Sequence, residues 1–136
     1  MIEAFRREAA IAIELMIKAV IAQRVEIGVA KAGVVKVRPT HDLVSLWADA
    51  ELPPLSAEDQ YSLLIAQRVL YWSGRYAAPL RDKDFYREEA ALDKVVVPRW
   101  EGAPGNWRLL LIDWETVDRI YGIASKSFWE TRTEYY

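Results

Sequence analysis

A chain of 136 residues is one domain's worth, long enough for a single core to bury about two thirds of the unfolded surface. Hydrophobic residues make up 52% and charged residues 28%, the balance of a globular protein, and the absence of cysteine excludes disulfides, thiolate metal sites and a thiol nucleophile. A net charge of -2 gives no global pull toward nucleic acid, so any RNA contact would need a local basic patch.

The first residues, Met1 to Glu8, mix acidic and basic side chains before an apolar run from Ala9 to Ala22. This order is unlike a secretory signal. The run holds 14 residues and contains Glu14 and Lys18, whereas a membrane span needs about 20 mostly apolar residues. It therefore predicts a buried helix, with a cytoplasmic protein and no membrane partner. Good helix formers and the lack of proline predict that this first helix spans about Glu3 to Val29. An apolar surface on nearly every side requires neighbours on several sides and places the helix at the centre of the fold. Glu14 and Lys18, four apart with Glu nearer the N-terminus, read as a helix-stabilising pair at the core margin in preference to a catalytic carboxylate.

Gly28, Gly33 and Arg38-Pro39 oppose continued helix. Thr40 then reads as the cap of a second helix, with His41 and Asp42 in its first turn and Leu43, Leu46, Trp47 and Ala50 at helical spacing before Pro53-Pro54. Ser56-Ala57-Glu58-Asp59 is a capping-box-like start for a third helix that carries Tyr61, Leu64, Ile65, Val69 and Trp72 and stops at Gly74. A non-helical stretch from Arg75 to Leu80, a charged helix from Lys83 to Lys94 and an irregular segment near residues 95–112 follow. From the cap Asp113, the spacing of Trp114, Val117, Tyr121, Ala124 and Phe128 predicts an amphipathic last helix. The expected architecture is all-α: an antiparallel bundle of four to five helices in a single domain over residues 1–136.

The inventory of chemistry is short. There is no glycine-rich phosphate loop and no Gly-x-Ser-x-Gly elbow, and one histidine cannot build a multi-histidine metal site, so neither metal nor cofactor is expected. Acid–base chemistry passes through His41 or does without imidazole. One reading makes His41 the base or acid acting on an RNA 2'-hydroxyl, with Arg38 or Arg75 gripping the phosphate. The other makes His41 and Asp42 organisers of the helix start. Trp72, Tyr76, Trp100, Trp107 and Trp114 near Arg68, Arg75, Arg81 and Arg108 offer base stacking in a basic groove, or core and interface anchors, the more frequent use of aromatics at helical spacing. Asp42, Arg68, Trp72 and Tyr76 are thus the candidate binding residues, and His41, Arg38 and Arg75 the candidate catalytic ones.

Three segments carry a family resemblance: Ala12-Ile13-Glu14-Leu15 with Lys18-Ala19, Thr40-His41-Asp42-Leu43 with Leu46, and Val69 through Trp72-Ser73-Gly74-Arg75-Tyr76 with Pro79. In this order they resemble landmarks of HEPN-like helical domains, over residues 8 to 80, with 81–136 as a C-terminal helical extension. The resemblance implies an all-α bundle that dimerises and occurs in toxin–antitoxin and phage-defence settings, as RNA-cleaving members or as non-catalytic modules beside nucleotidyltransferases. Partners implied are a second copy, an antitoxin or nucleotidyltransferase-type protein, or RNA. Two features depart from the pattern. Family ribonucleases carry an Arg with His four to six residues later, but Arg38 and His41 are three apart and no His follows Arg75. The helix that precedes the Ala-Ile-Glu-Leu element is also missing, so the last helix, a second copy or both must cover the first. A dimerising module that binds protein or RNA is the leading function. A metal-independent endoribonuclease using His41 with Arg38 or Arg75 is the alternative, and a small-molecule-binding bundle with a cavity lined by Met16, Trp47, Tyr61 and Trp72 is a third.

Overall fold

The computed structural model describes the backbone of residues 2–72 and 113–136, and the side chains of 5–71 and 113–136. Within them the chain is an all-α bundle of four helices: α1 (Ile2–Glu26), α2 (Leu43–Asp49), α3 (Ala57–Trp72) and α4 (Trp114–Tyr135). The expected helix from Lys83 to Lys94, the Arg75 to Leu80 stretch and the irregular segment at 95–112 lie outside the described residues.

Helix α1 is the hub, packed against α2, α3 and α4. Ala10, Ile13, Ile17, Val20 and Ile21 are buried, and only Leu15 and Ala22 are exposed between Ala9 and Ala22. The predicted covering on several sides is found, and α4 supplies part of it within the same chain. The ends of α1 and α4 show how. Phe5 and Trp114, near the two helix starts, meet with ring centroids 6.3 Å apart, and Gln23 Nε2 donates to the Phe128 carbonyl at 3.0 Å. The two helices therefore run in the same direction. The expected apolar line on α4 is rotated: Val117, Ile120, Ala124 and Thr131 are its buried residues, while Trp114 and Tyr121 face out at 66% and 38% exposure.

Helix boundaries follow local chemistry. α1 ends three residues before the expected Val29 because Gly28 adopts φ +78, and Val29 N–H to Arg24 O with Gly28 N–H to Val25 O form a Schellman stop, for which a residue free of Cβ suits the left-handed position. α2 closes with the same pair of bonds, Leu52 N–H to Trp47 O and Glu51 N–H to Ala48 O, but here a glutamate takes the left-handed position at φ 54. Its start differs from expectation. Asp42, not Thr40, is the cap, accepting the Ser45 N–H at 3.1 Å, while Thr40 Oγ1 accepts the Asp42 N–H. The short Thr40 hydroxyl reaches only the N–H two residues on, and His41 lies before the helix, outside its first turn. α3 starts as predicted with Ser56 Oγ accepting the Asp59 N–H, and α4 with Asp113 accepting the Thr116 N–H at 2.7 Å.

Candidate functional site

The only histidine and the only carboxylate of the apolar stretch meet. Glu14 sits midway along α1 with 2% exposure, where an unpaired charge would cost several kcal/mol. Two partners offset that cost. Lys18 Nζ, one turn later, donates to Glu14 Oε1 at 2.7 Å, and His41 Nδ1 lies 2.8 Å from Glu14 Oε2. A carboxylate oxygen is the acceptor in this contact, which assigns the donor role to Nδ1. Tyr71, near the end of α3, meets the imidazole edge-on with centroids 5.7 Å apart. Three elements converge here: α1, the α1–α2 connector and α3.

The His41 side chain retains 12% exposure. Its ring is therefore held from one side by a carboxylate and from another by an aromatic, an arrangement that fixes tautomer and orientation. In a hydrolase such a pair activates a general base. It equally ties a connector to a core helix.

Arg38 takes a different direction. Its Nε donates to Asp49 Oδ2 at 2.7 Å and its Nη2 to Ser45 Oγ at 2.7 Å, so the guanidinium spans α2 from first turn to last, its side chain 47% exposed. The Asp42 carboxylate caps α2. Beside it, Gln67 Oε1 from α3 accepts the Val44 N–H at 3.4 Å, so two of the unpaired first-turn amides of α2 have side-chain acceptors. Arg68 lies half-buried on α3. Trp72 ends α3; its side chain, together with Arg75 and Tyr76, lies outside the described residues, as do Trp100, Trp107, Arg81 and Arg108.

Glu14 and Lys18 are members that sequence reasoning placed at the core margin, and Tyr71 is one that it did not single out. Reading Glu14–Lys18 as a helix-stabilising pair at the core margin missed how fully the carboxylate is buried. The signal was present: a single carboxylate inside a 14-residue apolar run must find a second buried donor, and the chain has one imidazole to offer.

A second buried carboxylate joins α3 to α4. Asp59, 8% exposed at its side chain, receives Arg119 Nε at 2.9 Å and Nη2 at 2.6 Å, the bidentate fork that matches guanidinium to carboxylate. The hydrogen bond to Asp59 raises the Arg119 guanidinium above its ordinary value. Of the residues suggested to line a ligand cavity, Trp47 and Tyr61 are buried at 6% and 5%, and Trp47 Nε1 donates to the Pro53 carbonyl at 2.9 Å. Both serve the core. Among the described residues no group of three His, Asp or Glu could hold a metal ion, and no helix is long and apolar enough to cross a membrane.

No family model, curated protein or solved structure matches the chain.

Proposed function

We propose that this chain is a HEPN-like helical module that acts by self-association and by binding a protein or RNA partner, in a toxin–antitoxin or phage-defence setting. The observation that carries the reading is the engagement of the two candidate catalytic side chains that lie among the described residues. Arg38 is committed to Asp49 and Ser45, and His41 to Glu14, so the residues that would grip a phosphate and move a proton are each engaged in holding α2 and its connector in place. An arginine that must exchange two 2.7 Å bonds for a phosphate gains little by doing so. The resemblance supplies the biological setting, and the aromatic side chains exposed on α4 supply surface for a partner.

Light scattering at micromolar concentration tests the self-association. A dimer supports it, and a monodisperse monomer removes it. RNA binding, followed by electrophoretic shift across a salt series, tests the partner class, since phosphate contacts weaken steeply with salt.

A second reading rests on the Glu14–His41 pair itself. A carboxylate-held imidazole is suited to proton transfer, and an endoribonuclease would use it with Arg38 rotated from Asp49 or with Arg75. Metal-independent cleavage of RNA, lost in His41→Ala, would favour this alternative.

A further inference from the structure

Besides Tyr135, exposed at 50%, four aromatic side chains are exposed on α4 and its cap residue: Trp114 at 66%, Tyr121 at 38%, Trp129 at 58% and, as the cap, Tyr136 at 68%. At 100° per residue they fall within an arc of about 80°, beside the face that packs on α1. Asp118, Ser125 and Arg132 occupy the same arc. The spacing along this line is four, three, four, then four, three, four. It averages about 3.67 residues per step, close enough to the helical period to keep the line on one side of a straight helix.

The line is also a palindrome about Ser125. Trp114 and Tyr136 are each 11 residues from it, Asp118 and Arg132 each seven, and Tyr121 and Trp129 each four. When two copies of one helix pack antiparallel about a two-fold axis through residue 125, each position meets its mirror position in the copy. Trp114 then meets Tyr136 of the copy and Tyr121 meets Trp129, while Asp118 meets Arg132 with opposite charge. Within one chain the exposed Arg132 lies 5.8 Å from the ring centres of Trp129 and of Tyr136, so its charge stands beside the aromatics of this line. Ser125 at the axis is small. Gly122, where an added Cβ would meet nothing within 4 Å, leaves room opposite Phe128 of the copy.

We infer that α4 is a self-complementary docking surface whose occupant is the α4 of a second copy, antiparallel about Ser125. The inference rests on the self-association reading above and names its surface, polarity and register. A seam of one helix length, about 33 Å by the helical rise, sits at the small end of specific interfaces, so self-association should depend on protein concentration. Aromatic contacts supply the apolar area, and the two symmetry-related Asp118–Arg132 pairs select the antiparallel register by opposing like-charge alternatives.

Charge exchange tests it, with circular dichroism verifying helix content of each variant. Sedimentation equilibrium should show Asp118→Arg and Arg132→Asp each weakening self-association by roughly tenfold or more, because each puts two like-charged pairs across the axis. The double exchange should return to within about threefold of the native constant. The native chain lacks cysteine, so single cysteines report position cleanly: Ser125→Cys should join to its copy through a short bis-maleimide, while Glu134→Cys, about 27 Å from its copy, should not. A dimer indifferent to both charge changes, or one that links equally at both cysteines, overturns the α4 seam and leaves the self-association reading standing. A native monomer removes both.

Discussion

The Glu14–His41 contact makes a quantitative demand. Glu14→Ala removes a buried carboxylate that accepts from Lys18 and from His41. Lys18, with 23% side-chain exposure, turns to solvent, whereas His41 at 12% loses its carboxylate acceptor at Nδ1. Charge-assisted bonds contribute about 1.5 to 3 kcal/mol, and breaking a buried pair costs about 3 to 5 kcal/mol. Allowing for the relief of Lys18, the expected loss is about 3 to 4 kcal/mol. His41→Ala leaves Glu14 with Lys18 and costs about 2 to 3 kcal/mol. The two losses share one contact, so the double variant should fall short of their sum by about 1.5 kcal/mol or more. His41→Asn discriminates further, since its amide N–H lies near the place of Nδ1. It keeps the donor, loses the edge contact with Tyr71, worth about 0.5 to 1.5 kcal/mol, and should cost about 1 kcal/mol. Thermal unfolding reads these as about 3 to 4 °C per kcal/mol at this chain length. Single losses that add within about 0.5 kcal/mol, together with equal losses for His41→Asn and His41→Ala, would refute the tie.

Other parts of the fold give simpler expectations. Ile17, fully buried in α1, should cost about 2 to 4 kcal/mol as Ile17→Ala, while Leu15→Ala at 57% exposure should stay within about 0.5 kcal/mol; denaturant titration checks both. Glu51→Gly relieves a left-handed glutamate and should raise stability by up to about 1 kcal/mol after the added freedom of the unfolded chain and the loss of the exposed Arg24 contact are counted. Gly28→Ala should lower stability by about 1 kcal/mol for the same backbone reason; thermal melts of the two variants should move in opposite directions. Arg119→Ala strands the Asp59 carboxylate and should cost about 1 kcal/mol, since Arg119 is half-exposed, and Asp59→Asn in the same background should recover part of it.

Much of the bundle was legible because its signals are local. Ser56 and Asp113 each precede a helical run and cap it as read, and the apolar stretch of α1 demanded neighbours that α2, α3 and α4 supply. The errors have local causes too. Thr40 and Asp42 are both capping residues two positions apart, and Asp42 prevails because its carboxylate takes the first-turn Ser45 N–H while the shorter Thr40 hydroxyl reaches only the Asp42 N–H. On α4, Tyr121 and Ile120 compete for the inward face, and an aromatic-weighted reading chose the wrong neighbour by one residue. The site was harder because its pairing is not local. Nothing near His41 in sequence announces Glu14, 27 residues away, and nothing near Arg38 says that Asp49 and Ser45 will engage it before any ligand does. Charge burial was the available clue, and it points to a partner without naming one.

In the proposed module His41 serves to hold its connector to α1 through Glu14. RNA, structured and unstructured, incubated in chelator with the native chain and with folded His41→Asn tests it most directly. No cleavage above background by either protein is the expected result. Cleavage by the native chain that disappears in His41→Asn, with helix content and melting temperature close to native, would contradict it.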